Sequence, residues 1–293
     1  MPERDAAPAV HRPAALAVSA PAPLPGTTKR RNLIVVRAGD ESLHGPWLEP
    51  RERSYDVFVS YFGAVPGTHA GGADAYEHRP GPKWPCIAAI FAAAPELARA
   101  YDAYWFPDDD LAMPAAAVER MFALFHGLAL ELAQPALTAD SYWTWDFLRQ
   151  RPGSLLRYTR FVEVMCPLFS RAMLARCLDT FGENRSGWGI DWIWPERLPT
   201  PARRDAMAIL DATPIRHTRP LGGALYRNHA GLDPRAEERD ALRRHGLVER
   251  RMLGKYTAVT ACLEPRALPW HERLALRLRR LNAWRRWRRR GRP

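Results

Sequence analysis

Short apolar runs alternate with polar, glycine-rich and proline-rich stretches along the middle of this 293-residue chain. Residues 32–39 and 55–63 are apolar runs that end in glycine, and they predict buried strands with a loop at the carboxyl end. Residues 67–85 predict a loop because Gly, His and Pro recur there, whereas the Ala-rich residues 87–100 predict a helix despite Pro95. This order of elements is typical of a mostly parallel α/β sheet.

The alternation continues to about residue 219. An apolar run from Tyr101 predicts a strand that leads into Asp108. Helices are predicted over residues 115–126 and 171–181, and strands over residues 128–138, 161–169 and 206–211. We therefore expect one Rossmann-related α/β domain over residues 29–265. The Ala/Pro-rich residues 1–28 predict a disordered arm, and residues 266–293 predict a basic helix.

Composition excludes several classes of protein. An apolar content of 47% is enough for a full core, so the chain is not intrinsically disordered. No run approaches 18 apolar residues, and the N-terminal segment lacks the continuous apolar core of a signal peptide, so we expect a cytoplasmic protein. The four cysteines show no CxxC spacing, which favours reduced thiols over a zinc site.

Positive charge is concentrated at the C-terminal end. The net charge is +11, but residues 271–293 hold ten Arg and one Glu, which leaves +2 for the preceding 270 residues. The isoelectric point therefore gives no ground for specific nucleic-acid binding. An apolar stripe runs along the same segment, formed by Leu274, Leu278, Leu281, Trp284 and Trp287. A basic amphipathic helix with Trp indicates peripheral binding to an anionic membrane surface; the alternative is a solvated helix with nonspecific affinity for polyanions.

Three consecutive carboxylates, Asp108, Asp109 and Asp110, follow the strand predicted from Tyr101. Ligands of open α/β folds collect at the carboxyl edge of the sheet, and three adjacent like charges call for a cation to offset them. Oxygen ligands of this kind favour Mg²⁺ or Mn²⁺, which commonly bridge a protein to nucleotide phosphates. The alternative is that these residues cap the following helix.

Five ordered blocks resemble a known family. They cover residues 105–111, 133–141, 162–169, 186–191 and 217–220. They are similar to the blocks of domain of unknown function 707, a plant and bacterial family, over roughly residues 32–226. That family in turn resembles nucleotide-sugar-dependent glycosyltransferases of the glycosyltransferase-A type.

The resemblance implies a set of site residues. Asp108 and Asp110 match a metal-binding D-x-D element, Asp191 matches the acidic residue that serves the acceptor, and His217 matches a late histidine of the metal shell. Chemistry agrees, since a metal stabilises the leaving nucleoside diphosphate and a carboxylate can deprotonate an acceptor hydroxyl. Asp191 has no adjacent Glu, which leaves inversion or retention open, and it could instead cap a helix near Trp192; His217 could be a structural histidine.

The remaining candidates are polar or aromatic residues near these blocks. Candidates for nucleotide-sugar binding are Arg37, Lys83, Asp109, Arg216 and Arg219. Candidates for acceptor or substrate binding are Gln134, Ser141, Tyr142, Trp143, Glu163 and Trp188. Most surface cations have no specific role and most large aromatics belong to cores, so each candidate has a structural alternative. Glu163 stands inside an apolar run, where a buried carboxyl needs a partner or a role in the site.

These observations favour a metal-dependent glycosyltransferase that moves a sugar from a nucleotide-sugar donor to a glycan or lipid-linked acceptor. Two alternatives remain open. One is a noncatalytic nucleotide- or glycan-binding protein of the same fold, and the other is a metal-dependent phosphoester hydrolase built on the Asp cluster.

Overall fold

A computed structural model describes residues 30–50, 52–198, 205–220, 231–247 and 258–260. Its strands are β1 (Asn32–Ala38), β2 (Tyr55–Tyr61), β3 (Ala75–His78), β4 (Ala103–Trp105), β5 (Leu111–Ala112), β6 (Leu132–Leu137), β7 (Ser154–Tyr158), β8 (Leu168–Ser170), β9 (Met207–His217) and β10 (Ala258–Thr260). Its α-helices are α1 (Gly45–Leu48), α2 (Lys83–Ala93), α3 (Leu97–Ala100), α4 (Ala115–Gly127), α5 (Arg171–Cys177), α6 (Ile190–Ile193) and α7 (Pro234–Arg244). Short 3₁₀ turns cover Asp146–Leu148, Leu178–Thr180 and Trp194–Arg197.

The strands form one sheet in the order β10-β7-β9-β6-β8-β4-β1-β2-β3, and β5 pairs separately with β9. Among the described strands in this order, only β7 and β8 are antiparallel to the rest, and the other strands all run in the same direction. The predicted α/β class with a mostly parallel central sheet is confirmed. The predicted arm (1–28) and basic helix (266–293) lie outside the described residues.

Helices cover both faces of the sheet, which explains why β1 is an uninterrupted apolar run. Alternate β1 residues enter two separate hydrophobic clusters. Ile34 and Val36 pack in the cluster that contains Val118 of α4, whereas Leu33 and Val35 pack in the cluster that contains Ile87 of α2. A strand buried on both faces can carry apolar side chains at every position.

Several predicted elements differ from the structure. The predicted helix 87–100 is broken into α2 and α3, because Ala94 leaves the helical conformation before Pro95. Only the last part of the predicted strand 161–169 is a strand, and the strand predicted over 128–138 is limited to β6. The predicted loop 67–85 contains β3, and β9 continues six residues beyond Asp211.

Other segments of the same polypeptide hydrogen-bond to the irregular backbone of residues 161–167. The N–H of Asp108 donates to the carbonyl of Met165, and that of Phe106 donates to Pro167. The N–H of Glu163 donates to Oε1 of Gln134 at 2.6 Å. The backbone therefore finds partners outside a regular ladder, which an apolar sequence run does not indicate.

The sheet order reverses between β1 and β4. The chain proceeds outward from β1 through β2 to β3 and then returns to the opposite side of β1 as β4. In open α/β sheets, ligands bind at the carboxyl ends of the two strands that flank such a reversal. Gly39 follows one of these strands and the Asp run follows the other. Among the described helices, none has the length and apolar character needed to span a membrane.

Candidate functional site

Asp109 ties together the two strand ends at the reversal point. Its Oδ2 accepts the N–H of Gly39 at 2.7 Å, and its carbonyl accepts the N–H of Leu43. Arg219 reaches Oδ1 at 3.3 Å. A Cβ at Gly39 would come within 2.9 Å of the Phe62 ring and 3.1 Å of Asp109 Oδ2, so this position requires glycine. Burial raises the pKa of Asp109 to about 6, although Gly39 and Arg219 oppose the shift.

Lys83, the first residue of α2, is held against the Asp run. Its Nζ donates to Asp108 Oδ1 at 2.6 Å and to the carbonyls of Val164 and Met165 at 2.9 and 3.0 Å. These three acceptors use all the donors of an ammonium group. Lys83 therefore neutralises Asp108 and joins the Asp run to the irregular segment 161–167.

Asp110 and His217 meet because β5 pairs with β9. Leu111 lies opposite His217, and the N–H of Thr218 donates to the carbonyl of Asp110. His217 Nε2 lies 3.3 Å from Asp110 Oδ2, and Nδ1 lies 2.9 Å from the carbonyl of Tyr142. A carbonyl only accepts, so Nδ1 carries a proton and Nε2 faces the carboxylate. Burial lowers the pKa of His217, but the hydrogen bond to Asp110, the negative charges of Asp110 and Asp108 and the Tyr142 carbonyl together outweigh it, so the net pKa is raised.

Asp110 and His217 offer an oxygen and a ring nitrogen of the kinds that divalent cations accept as ligands. Asp110 Oδ1 is buried without a hydrogen-bond partner, and Nε2 of a neutral His217 would present a lone pair beside it. Among the described residues, no three His, Cys, Asp or Glu side chains are grouped as a complete protein metal site. Mg²⁺ is usually held by one or two carboxylates with phosphates and water, so a cation at this pair would need further ligands from phosphate or water. Asp108, the third predicted ligand, is engaged by Lys83.

A cavity of about 680 Å³ adjoins this cluster. Its wall includes Glu163 and Val164. Lys83, which binds Asp108, also donates to the carbonyls of Val164 and of the next residue, Met165. The other lining residues are Thr144, Trp145, Trp188, Gly189, Asp191, Trp192, Arg235, Glu238, Arg239 and Leu242. The acidic cluster and the cavity are therefore close neighbours in the structure.

Two buried carboxyl groups, Glu163 and Asp191, line the cavity with oxygens that lack a partner. Oε2 of Glu163 and Oδ1 of Asp191 are both buried and unpaired among the described residues. Burial raises the pKa of Glu163 to about 7, against a weaker opposing hydrogen bond from Thr144. Burial also raises the pKa of Asp191 well above its usual range, and the nearby carboxyls of Glu163 and Glu238 add to the shift. An unpaired oxygen on a residue that lines a cavity is a candidate contact for a ligand.

A left-handed glycine places Asp191 on the cavity wall. Gly189 precedes α6 with φ 95°, and a Cβ there would lie 3.0 Å from the backbone of Glu238 on α7. Only glycine permits both this conformation and the close approach of α7. Asp191 is the second residue of α6 and is 6% exposed.

The structure distributes the other predicted residues around the site. Gln134 is buried and supports Glu163, and Ser141 Oγ accepts the N–H of His217 at 3.1 Å. Tyr142 and Trp143 are exposed in the loop beside His217. Their predicted contact with substrate stays a prediction.

Two predicted nucleotide contacts have other partners. Arg37 is buried, and its Nη atoms donate to Ser60 and to the carbonyls of Arg79 and Gly81, so it supports the β1–β2 edge and does not line the cavity. Arg216 forms an exposed ion pair with Asp140 at 2.8 Å.

Sequence reasoning did not find the part of the cavity that α7 contributes. Arg235, Glu238 and Arg239 lie on a charged helix whose sequence looks like any solvated surface helix. Trp145 lines the cavity and lies two residues after Trp143, one of the predicted substrate residues, in the sequence.

The sequence matches no protein-family model and no curated protein. Structure comparison finds S. aureus TarS. Residues 1–349 of TarS in complex with UDP-GlcNAc match with a TM-score of 0.46 and 10% identity over 73% of this chain and 72% of that chain. The same TarS segment in a second structure matches with a TM-score of 0.44 and 9% identity over 74% and 72%. A structure of TarS matches with a TM-score of 0.42 over 75% of this chain and 44% of that chain.

Proposed function

We propose that the protein transfers a sugar from a nucleotide-sugar donor to an acceptor held in the neighbouring cavity, and that it is related to the family of domain of unknown function 707. One observation carries the proposal. An acidic cluster at the sheet reversal adjoins a cavity lined by two buried carboxyl groups with unpaired oxygens. A donor site and an acceptor site need this adjacency, because the transferred group must move between them.

Asp110 and His217 would hold Mn²⁺ or Mg²⁺ together with the donor diphosphate. Bound there, the cation would offset the charge that develops on the leaving nucleoside diphosphate. Lys83 and Arg219 add positive charge on the same side, since both already contact the Asp run. Tyr142 and Trp143 offer exposed aromatic faces beside His217 for a base or a sugar.

Asp191 would take the proton from the acceptor hydroxyl. The raised pKa of its carboxyl group makes the ionised form a stronger base than an ordinary aspartate. Glu163 interacts electrostatically with both the acidic cluster and Asp191. Its own pKa is influenced by Asp108 and His217, and the pKa of Asp191 is influenced by Glu163. Glu163 would therefore contact the sugar being transferred.

The donor half of the proposal is tested by binding. Full-length protein is screened by thermal shift with nucleoside diphosphates and nucleotide sugars in the presence of Mn²⁺, because a ligand of the folded state raises its stability. Titration calorimetry with the best ligand is then repeated with EDTA and with Asp110→Asn. We expect both to abolish or strongly weaken binding. Asp240→Asn, an exposed change on α7, is the matched control and should bind as the parent does.

Unchanged affinity both in EDTA and in Asp110→Asn would contradict the cation site and leave the Asp run as a structural loop.

The catalytic half is tested by turnover. We expect Asp191→Asn to keep the donor affinity and to lower transfer by at least about 100-fold, the lower end for loss of a general base. Transfer at the parental rate would make Asp191 structural. Donor binding by a parent protein that transfers to no acceptor would favour the noncatalytic binding protein, and release of free phosphate would favour the phosphoester hydrolase.

A further inference from the structure

We propose that the acceptor bound in this cavity is a sugar that carries an anionic group, with the sugar against the indole rings of Trp145 and Trp188 and the anion at Arg235 and Arg239. The inference rests on the proposed function, which leaves the acceptor open, and it deepens that function by naming the chemical class of the acceptor. It depends on the composition of the cavity wall.

The aromatic wall suits a sugar ring. Trp145 and Trp188 both line the cavity, and both are half-buried. Trp192 behind them is 7% exposed and packs on Phe161 with ring centroids 4.5 Å apart, which fixes the wall. The apolar C–H face of a sugar ring matches a flat indole, while its hydroxyl groups remain free for polar contacts.

The floor of the cavity suits hydroxyl groups. Asp191 Oδ1 and Glu163 Oε2 have no partner among the described residues, although both residues are more than nine-tenths buried. A buried polar atom without a partner costs free energy, which a ligand hydroxyl placed there would recover.

The rim of the cavity suits an anion. Arg235 and Arg239 are four residues apart on α7, so they share one face of the helix, and both are exposed and line the cavity. Other arginines of α7 are engaged, since Arg243 pairs with Asp240 and Arg244 pairs with Glu183. Within the described residues, no ion pair engages Arg235 or Arg239. Two guanidinium groups on one face can bind a phosphate or a carboxylate through bidentate hydrogen bonds.

The test measures sugar binding in the absence of nucleotide. Full-length protein is titrated with glucose, glucuronic acid, glucose 6-phosphate and inorganic phosphate, and affinity is measured by ligand-detected NMR. We expect the two charged sugars to bind at least about tenfold more tightly than glucose, as one charge-assisted contact provides. We expect inorganic phosphate to bind more weakly than glucose 6-phosphate, because it cannot use the aromatic wall. A preference between glucuronic acid and glucose 6-phosphate identifies the anion.

Variants separate the two parts of the cavity. The double variant Arg235→Gln/Arg239→Gln should lose the preference for charged sugars, and Arg243→Gln on the same helix should keep it. Trp188→Leu should lower the affinity for glucose and for both charged sugars by a similar factor, because the aromatic contact does not depend on charge.

Three results would overturn the proposal. They are glucose binding as tightly as the charged sugars, a double variant that keeps the charge preference, and inorganic phosphate binding as tightly as glucose 6-phosphate. Donor binding is measured separately in the nucleotide screen. Failure of that screen contradicts the proposed transferase, whereas failure of the sugar titration with an intact donor site contradicts only this acceptor class.

Discussion

Glu163 is a single residue whose burial makes stability depend on pH. Its pKa is raised from 4.5 to about 7 by burial, so the folded protein keeps the proton over a range in which the unfolded chain releases it. The associated stability is fully present below pH 4.5 and is lost as the pH rises through about 7. This rise in the pKa of Glu163 corresponds to a loss of about 3 kcal/mol in the free energy of unfolding at high pH.

We predict that Glu163→Gln, which is neutral at every pH, is as stable as the parent near pH 4 and more stable than the parent at pH 8. The reason is that Gln avoids an ionised carboxyl in the buried site. Urea unfolding of both proteins at the two pH values measures the difference. If the stability difference between Glu163→Gln and the parent is the same at both pH values, Glu163 does not titrate between pH 4 and pH 8.

At the scale of secondary-structure elements, a buried ion pair connects β7 to β9. Arg157 and Asp211 are fully buried, with Nε–Oδ2 and Nη2–Oδ1 distances of 2.9 and 3.0 Å. Arg157 also donates to the carbonyls of Phe147 and Arg149, so the pair fixes the loop that precedes β7. A buried pair contributes less than its Coulomb attraction suggests, but removal of one partner leaves an uncompensated charge.

We predict that Arg157→Met lowers the free energy of unfolding by about 3–5 kcal/mol, because Asp211 is left buried without its counter-charge. Chemical denaturation measures the loss. The exposed pair of Arg243 and Asp240 supplies the control, since Arg243→Met should change stability little. The double variant Arg157→Met/Asp211→Leu should recover part of the loss. A single variant no less stable than this control would show that the pair does not hold the β7–β9 contact.

At the scale of the whole molecule, charge is divided between a nearly neutral body and a basic end. The basic residues 271–293 lie outside the described residues, and their membrane affinity stays a prediction from sequence. Each basic residue near an anionic surface contributes about 1 kcal/mol, and salt screens the attraction.

We predict that the full-length protein sediments with anionic vesicles at low salt, less so at high salt, and that truncation after Trp270 abolishes sedimentation without changing donor binding. Equal sedimentation of both forms would contradict membrane binding by this segment. Binding of both forms to duplex DNA in place of vesicles would do so as well.

The sequence by itself determined the elements whose signal is local. β1 and β2 were predicted because a strand covered on both faces is apolar throughout, and α4 was predicted because its buried side chains follow the helical period. The position of the Asp run after β4 followed from the same local pattern. These features depend on neighbours within a few residues, which sequence patterns record.

Only the tertiary structure decided which distant residues meet. It placed Lys83 on Asp108, 25 residues away, and brought β9 beside β5 so that His217 reaches Asp110. It also carried α7 to the cavity, although nothing in the sequence of that helix distinguishes Arg235 from a solvated arginine. Such contacts arise from the packing of elements far apart in the chain. The apolar period of an element records that the element packs, but not which distant element it packs against.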